Sequence, residues 1–363
     1  MARKVRAMVL RAPGEMTVTE FDRPKIGPCD LLLRVEMVSI CGGDPSAYKG
    51  EMYKVFPLIL GHEVVGFVDE IGEQAVLRYG VQEGDRITVE PYIGCGICKY
   101  CLTGYYQLCR QQKTYGFNLS CAEPPHLWGA YSEFMFVASG SKVHKVLPRI
   151  PAEAACLSSV IGNGVRWVQD KGQVKFGESV VIVGAGAQGL SSVICAKEAG
   201  ASPIIVLGLS RDELKFCLAR EFGAEYVVNV EKEDAVSVVS EITNGEWADV
   251  VIQCSSSISG LATAIRLTKP LGRCILVGRL EGNGARDLSP VLRSFNRIVA
   301  REISLYGGMG QSWNVEEAMK LINARKYPIE KIVTHTFPLE AADKAMEFFI
   351  SAPADCIRVG LVP

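Results

Sequence analysis

The feature that most restricts the fold of this chain is a glycine-rich turn between an apolar strand and a helix. Residues 180–183 read Val-Val-Ile-Val, three closely spaced glycines follow, and a helix-compatible run begins at Leu190. Glycines at this spacing let the backbone approach a pyrophosphate, whose negative charge the helix N-terminus stabilises. The motif predicts a dinucleotide site formed by Gly184, Gly186, Ala187, Gln188 and Gly189.

The sequence on either side of this turn predicts two domains. From residue 154 to 300, apolar strands alternate with helical stretches, which is the pattern of a doubly wound parallel sheet in the α/β class. Residues 1–153 instead show short strands separated by Gly, Pro and Asp turns, which predicts a β-rich, barrel-like unit. Residues 301–363 contain two helical segments and a last strand, and we expect them to return to the first unit.

Four cysteines are crowded into a loop at about residues 92–112. Cys95, Cys98, Cys101 and Cys109 follow the pattern C-x2-C-x2-C-x7-C. Four thiolates at these separations suit a closed tetrahedral zinc site with a structural role. An iron–sulfur cluster also uses four cysteines, but nothing else in the sequence indicates electron transfer. A loop without a metal is the remaining alternative.

The end of the strand after the glycine-rich turn predicts which nicotinamide cofactor is bound. An acidic side chain at that position bonds the ribose 2′-hydroxyl of NAD and repels the 2′-phosphate of NADP. This chain has Gly208 there, followed by Ser210 and Arg211 as candidate partners of the phosphate. The sequence therefore favours NADP over NAD. The alternative is that Arg211 is a solvated residue at the start of a helix.

The order of the motifs resembles the zinc-dependent medium-chain dehydrogenases, particularly the sorbitol and threonine dehydrogenase branch. The resemblance rests on Cys41-Gly-Gly-Asp44, Gly61-His62-Glu63, the four-cysteine lobe, the glycine-rich turn and residues 272–278. It implies a GroES-like catalytic domain, a Rossmann domain, and assembly into a homodimer or homotetramer. It also implies hydride transfer between NAD(P) and a secondary alcohol, such as a polyol or a cyclic hydroxyl compound.

The resemblance further implies a second, catalytic zinc on Cys41 and His62, which makes two zinc ions per chain. In the sorbitol branch the glutamate directly after the histidine can bind this zinc, and here that residue is Glu63. We favour Cys41, His62 and Glu63, with water or substrate completing the shell, and Cys156 is a weaker candidate. A zinc ion with an open position can polarise an alcohol oxygen for hydride transfer.

Three positions around this expected zinc depart from the family. Gly43 stands where many members have Ser or Thr, and Ser46 stands where a histidine commonly completes the proton relay. Ser159 occupies the place of an acidic ligand in the threonine dehydrogenase pattern. Asp44 remains as a group that could support the zinc ligands or accept a proton. Its alternative role is to cap the segment that follows it.

Two other functions remain open at the level of the sequence. One is reduction of an activated C=C bond in an enone or quinone, which zinc-free relatives perform and which Cys41, His62 and Glu63 argue against. The other is nucleotide binding without catalysis, which the missing relay favours. Lys and Arg total 39 against 40 for Asp and Glu, so we expect no nucleic acid or membrane partner. With no secretory signal evident, we expect a small-molecule enzyme of the cytoplasm.

Overall fold

The computed structural model describes residues 4–280 and 288–363, and the chain divides into two compact units. Unit 1 consists of Met1–Ser159 together with Val315–Pro363, and unit 2 consists of Val160–Asn314. The sequence-based boundaries, after residues 153 and 300, both lie earlier in the chain than these divisions. The second differs because a further strand, after residue 300, still belongs to the parallel sheet of unit 2.

Unit 1 is mainly β and is built from two segments of the chain. Its strands are β1 (Lys4–Ala12), β2 (Glu15–Asp22), β3 (Leu31–Ser39), β4 (Leu58–Ile59), β5 (Glu63–Ile71), β6 (Arg86–Val89), β7 (Tyr92–Ile93), β8 (Lys113–Thr114), β9 (Phe134–Val137), β10 (Val143–Lys145), β17 (Val333–Pro338) and β18 (Arg358–Val362). Its helices are α1 (Asp44–Tyr48), α2 (Glu73–Tyr79), α3 (Lys99–Leu102), α4 (Ala152–Ala155), α11 (Val315–Ala324) and α12 (Ala342–Ser351), and α5 (Ser158–Val165) begins here. Short 3-10 turns span Tyr106–Leu108, Ile329–Ile332 and Leu339–Ala341.

The largest sheet of unit 1 joins the two chain segments. Its strand order is β10-β6-β5-β3-β18-β17, with β9 also paired to β3. The central strands β3 and β5 are antiparallel, and β18 pairs antiparallel with β3. Alternating side chains from these strands enter one hydrophobic core. The start of β5 and the start of β18 are thereby placed beside the end of β3.

Unit 2 is a six-stranded parallel sheet with helices between its strands. The strands are β11 (Val180–Val183), β12 (Ile204–Gly208), β13 (Tyr226–Asn229), β14 (Ala248–Gln253), β15 (Thr268–Leu276) and β16 (Ser304–Gly307). The helices are α6 (Ala187–Glu198), α7 (Glu213–Glu221), α8 (Ala235–Ile242), α9 (Ile258–Leu267) and α10 (Ser289–Ala300), with a π-helix at Arg166–Lys171 and a 3-10 turn at Ser210–Asp212.

The order of the parallel strands is β13-β12-β11-β14-β15-β16. Strand β11 is fully buried, as its unbroken apolar sequence requires in a sheet covered on both faces. This order reverses direction at β11, and in such sheets a ligand binds beside the carboxyl ends of the strands at that point. The predicted α/β fold with a doubly wound sheet is confirmed. None of the helices in the described part of the chain has the length and apolarity needed to cross a membrane.

Candidate functional site

Three side chains that the sequence analysis assigned to a catalytic metal come together in unit 1. One ligand atom each from Cys41, His62 and Glu63 lies within 4.8 Å of the other two. Cys41 follows β3, while His62 and Glu63 stand at the start of β5, so the pairing of these two strands brings them together. A thiolate, an imidazole and a carboxylate are ligands that zinc accepts, and three of them leave one tetrahedral position open.

Unsatisfied polar atoms at this cluster test whether a cation fits. His62 Nδ1 and Glu63 Oε2 are buried and have no hydrogen-bond partner among the residues that the structure describes. Buried polar atoms without a hydrogen-bond partner are rare, because each one destabilises the folded state by about 1–3 kcal/mol. Burial, reinforced by the charge of Glu63, raises the pKa of the Cys41 thiol, so the thiolate needs a neighbouring cation. The donor set and its unsatisfied atoms fit a bound metal ion.

Gly61 allows the histidine and glutamate to enter β5 against a buried aromatic ring. Its φ is +94°, and a Cβ at this position would lie 2.4 Å from Cδ1 of Tyr131. Any other residue would therefore meet both a backbone penalty and a collision. The ring of His62 packs against Phe117, with 4.6 Å between the ring centroids. The Gly-His-Glu sequence thus reflects a steric requirement as well as a ligand set.

Arg358 holds Glu63 from the far side of the cluster. Its Nη2 donates to Glu63 Oε1 at 3.4 Å, and its Nη1 donates to the carbonyl of Ile40 at 2.9 Å. Arg358 is only 3% exposed and Glu63 only 2%, so this ion pair is shielded from solvent. A buried charge left without its partner is strongly destabilising. The sequence did not identify Arg358 as part of the site, because Arg358 lies 295 residues from Glu63 along the chain and belongs to no local motif.

Asp44 lies beside both Cys41 and His62. Its Oδ2 accepts hydrogen bonds from the N–H of Cys41 at 2.8 Å and from the hydroxyl of Tyr131 at 2.9 Å. Its Oδ1 lies 3.9 Å from His62 Nδ1. The side chain is fully buried, and two donors already occupy one oxygen, which fits support of the metal ligands better than proton transfer to solvent. Sequence reasoning had not identified Tyr131.

The remaining candidates of unit 1 lie outside the three-residue cluster. Cys156 is buried, and its Sγ donates to the carbonyl of Glu153 at 3.5 Å. Ser159 is buried but offers a hydroxyl in place of a thiolate or carboxylate. A Cβ at Gly43 would lie 3.4 Å from Cζ of Phe117. Ser46 is buried in α1, one turn after the cysteine loop.

The four cysteines predicted to form a structural site also converge. The Sγ atoms of Cys95, Cys98, Cys101 and Cys109 all lie within 4.8 Å of one another. Cys95 Sγ is 3.9 Å from Cys101 Sγ, close to the ~3.8 Å expected for two sulfurs on one tetrahedral zinc. Helix α3 and the 3-10 turn after it place Cys101 and Cys109 beside Cys95. The geometry fits a closed site with four protein ligands.

Backbone N–H groups point at these sulfurs. The N–H of Cys98 donates to Cys95 Sγ, and the N–H of Cys95 donates to Cys109 Sγ, each at 3.4 Å. Hydrogen bonds from the N–H groups of Arg110 and Cys101 lower the pKa of Cys98 to about 6. Donors of this kind stabilise thiolates, which are the forms that bind metals. The hydrogen bonds therefore favour the thiolate of Cys98, whereas burial raises the pKa of Cys101 to about 12 and leaves that thiol dependent on a bound cation.

The glycine-rich turn of unit 2 has the geometry that a dinucleotide requires. Gly184, with φ of +110°, follows β11, and Gly186 caps the N-terminus of α6. A Cβ at Gly186 would meet no protein atom within 4 Å, so the space before the helix is open. A Cβ at Gly189 would lie 2.0 Å from the carbonyl oxygen of Gly184, so only glycine lets α6 pack this closely. Ala187 and Gln188 complete the first turn of the helix.

The residues assigned to the cofactor ribose lie at the end of the next strand. Gly208 is the last residue of β12, and Ser210 and Arg211 are exposed in the turn that follows. Glu231, which follows β13, accepts a hydrogen bond from the N–H of Ser210 at 2.7 Å. The hydroxyl and the N–H of Ser210 lower the pKa of Glu231, so it is ionised. This carboxylate comes from a neighbouring strand, and the sequence analysis missed it.

Both halves of the chain match known protein families. The family model described as "Alcohol dehydrogenase GroES-like domain" matches residues 27–149, and the one described as "Zinc-binding dehydrogenase" matches residues 187–324. A solved structure of a zinc-binding dehydrogenase from Sinorhizobium meliloti, bound to NADP, superposes with a TM-score of 0.86 at 26% identity. The superposition covers 99% of this chain and 100% of that one.

Two relatives are similar over nearly their whole length. A probable alcohol dehydrogenase of Mycobacterium tuberculosis is 35% identical over 346 residues, which are 93% of this chain and 92% of the relative. An erythritol/L-threitol dehydrogenase of Mycolicibacterium smegmatis is 29% identical over 370 residues, 99% of this chain and 98% of the relative. These matches confirm the family that the order of motifs indicated. The chain therefore belongs to the zinc-type medium-chain alcohol dehydrogenases.

Proposed function

We propose that this protein oxidises a secondary alcohol, or reduces the matching carbonyl compound, with NAD(P) as the hydride carrier. The observation that carries the proposal is the convergence of Cys41, His62 and Glu63 on one point within a family of zinc-binding dehydrogenases. A polyol is the substrate class that we favour, because one of the similar relatives is named for erythritol and L-threitol.

Different residues of the chain have different roles in this reaction. Zinc, when bound, supplies a Lewis acid that polarises the oxygen of the substrate. Cys41, His62 and Glu63 hold the metal and leave one position open, while Asp44 and Arg358 fix the orientation of these ligands. The turn from Gly184 to Gly189 binds the pyrophosphate of the cofactor through backbone amides. Cys95, Cys98, Cys101 and Cys109 would hold the second zinc ion with four protein ligands, which leaves no open position for substrate.

The alternatives remain less well supported. Reduction of a C=C bond, which zinc-free relatives perform, gives no reason to bury an incompletely compensated carboxylate beside a thiol and an imidazole. A silent nucleotide-binding protein would not need Asp44 and Arg358 to hold that cluster in place. We therefore expect the metal ligands to serve catalysis, despite the absence of the usual relay groups at Gly43 and Ser46.

A substrate screen with metal analysis tests the proposal. Purified protein should contain two zinc ions per chain and should produce NAD(P)H from at least one member of a panel of polyols and cyclic secondary alcohols. A chelator should abolish that activity, and added zinc should restore it. A single zinc ion, released only on unfolding, would contradict the proposal, and so would reduction of enones that a chelator does not affect.

The choice between NADP and NAD depends, we propose, on two opposing charges beside Ser210. Arg211 is an exposed cation that favours a 2′-phosphate, which supports the NADP preference derived from the sequence. Glu231 opposes it, because its carboxylate already accepts the Ser210 N–H that a 2′-phosphate would use. The cofactor preference of the wild type then depends on the opposing effects of Arg211 and Glu231. Each of the two charges can be removed separately by substitution.

Replacement of Glu231 with Gln should shift this balance toward NADP. We expect the ratio of kcat/KM for NADP to kcat/KM for NAD to rise about tenfold, because the change removes a negative charge that repels the 2′-phosphate. Arg211→Ala should lower the same ratio. Glu233→Gln removes an equal charge from a nearby exposed position and serves as the control. An unchanged ratio in the Glu231 variant, with the control also unchanged, would exclude this role.

Self-association and location remain predictions. Strand β16 lies at one edge of the parallel sheet, and its Leu305 and Tyr306 are about 40% exposed. Helix α10 exposes Leu292, Phe295 and Val299 along one side. An exposed strand edge and an apolar stripe are commonly covered by another chain, which supports the expected homodimer or homotetramer. Location in the cytoplasm stays an expectation from the sequence.

A further inference from the structure

Unit 2 carries a cavity lined by three arginines. The cavity has a volume of about 380 Å³, lies between α9 and α10 and is open to solvent, and Arg266 and Arg293 are exposed beside it while Arg297 is half-buried. Helix α9 contributes Arg266, one turn after Ala262, and α10 contributes Arg293 and Arg297 at a four-residue spacing. Residues spaced by four positions lie on the same face of a helix, so all three guanidinium groups line one space.

None of these three arginines forms an ion pair or a side-chain hydrogen bond with a residue that the structure describes. Among these residues, Nε of Arg297 is buried and has no hydrogen-bond partner. Hydrogen bonds from Ser237, and to a smaller extent the charge of Arg266, lower the pKa of Asp234. The carboxylate of Asp234 accepts its hydrogen bonds from Ser237 and none from Arg266. Like charges that line one cavity repel one another, and a bound anion would relieve that repulsion.

The surroundings of Arg297 add to this imbalance. Burial, followed by the charges of Arg301 and Arg266, lowers the pKa of Arg297. The guanidinium carbons of Arg297 and Arg301 lie 5.7 Å and 5.4 Å from the centre of the Trp247 ring. The ring keeps two cations beside each other without neutralising either. The Nη1 of Arg301 donates to the carbonyl of Thr268, which orients it without removing its charge.

The cavity is distinct from the dinucleotide site. Helix α9 leaves the carboxyl end of β14 and runs back toward the start of β15, and Arg266 lies in its last turn. Ten helical residues span about 15 Å, so Arg266 lies near the opposite edge of the sheet from the glycine-rich turn. A ligand bound by the arginines would therefore not be the pyrophosphate of the cofactor.

We propose that the cavity between α9 and α10 binds a small molecule through a phosphate group held by Arg266, Arg293 and Arg297. Arginine forms paired hydrogen bonds with phosphate oxygens, and three cations match a multivalent oxyanion. A cavity of about 380 Å³ exceeds a lone phosphate ion and lies in the range of pockets for small molecules. The inference is independent of the proposed dehydrogenase activity, since it uses none of its residues.

Thermal unfolding with inorganic phosphate as the probe tests this site. The protein is saturated with NADP to occupy the cofactor site, including the position of the 2′-phosphate beside Arg211, and phosphate is titrated against chloride at constant ionic strength. We expect a saturable rise in Tm for the wild type. Arg293→Gln and Arg297→Gln should each weaken the apparent phosphate affinity by about tenfold. Arg220→Gln, which removes an exposed charge on α7, should respond like the wild type.

A second readout separates ligand binding from a merely structural role of the arginines. Without phosphate, Arg293→Gln should be at least as stable as the wild type, because it relieves repulsion and removes no ion pair or hydrogen bond with the described part of the chain. With phosphate, the wild type should have a higher Tm than Arg293→Gln. Equal phosphate responses in the wild type and both cavity variants would overturn the proposal, and so would a wild-type Tm that phosphate leaves unchanged. A glycerol phosphate arm distinguishes a phosphate ester from the free ion by the tighter binding expected for the ester.

Discussion

Replacement of Cys41 with Ser is expected to lower kcat/KM for alcohol oxidation by about a thousandfold and to remove one of the two zinc ions. The loss follows because a hydroxyl is a poor zinc ligand, and the Lewis acid that the metal supplies amounts to several kcal/mol of transition-state stabilisation. Zinc content and steady-state kinetics measure the two effects on the same sample. Dinucleotide binding should persist, because the glycine-rich turn lies in unit 2.

Cys156→Ser distinguishes the two possible ligand sets of this centre. If Cys41, His62 and Glu63 bind the catalytic zinc, the Cys156 variant keeps both metal ions and most of its activity. Loss of one zinc ion from this variant, with Glu63→Gln retaining it, would instead make Cys156 the third ligand. Full activity and two zinc ions in the Cys41 variant would contradict the proposed centre altogether.

Replacement of Cys101 with Ser is expected to release the other zinc ion and to destabilise unit 1. The Sγ atoms of Cys101 and Cys95 lie 3.9 Å apart. Replacement of Cys101 therefore removes one of the four protein ligands of this centre. Because binding energies of structural zinc sites are about 10–16 kcal/mol in isolated peptides, we expect unfolding to become easier by at least several kcal/mol. Calorimetry and zinc analysis measure these changes.

Cys217→Ser provides a matched control for the cluster. Cys217 is exposed on α7 of unit 2 and belongs to neither metal-binding group. This variant should keep its zinc content and its unfolding profile. Calorimetry of the Cys101 variant should show a lowered transition for unit 1, while titration should show that NAD(P) still binds unit 2. An unchanged Tm together with two retained zinc ions would mean that the four cysteines do not form a structural metal site.

The sequence predicted best those parts of the site whose residues are close along the chain. The four cysteines span only a short loop, and Gly184 to Gly189 form one turn, so their spacing carries most of the geometry. His62 and Glu63 were predicted as zinc ligands because the chain shares the Gly-His-Glu motif with the family that it resembles, and this motif is also local. Local motifs of this kind need little information from the rest of the fold.

The supporting residues could not be predicted in this way. Arg358, Tyr131 and Glu231 reach the sites only through strand pairing or through turns at the ends of neighbouring strands. None of them stands in a spacing pattern with the residue that it contacts. The late boundary of unit 2 has a similar cause, because β16 is short and is recognised only by its pairing with β15. Such features depend on tertiary structure, which a local pattern does not contain.

The contact between Glu63 and Arg358 also has a consequence for biosynthesis. Unit 2 is complete at Asn314, so it can fold on the ribosome before the rest of unit 1 has been made. The catalytic cluster cannot reach its final form at that stage, because β18 and its arginine have not yet been synthesised. A newly made chain would acquire its dinucleotide-binding unit first and its finished metal centre last. The ion pair that orients Glu63 therefore forms only in chains that have been translated past residue 358.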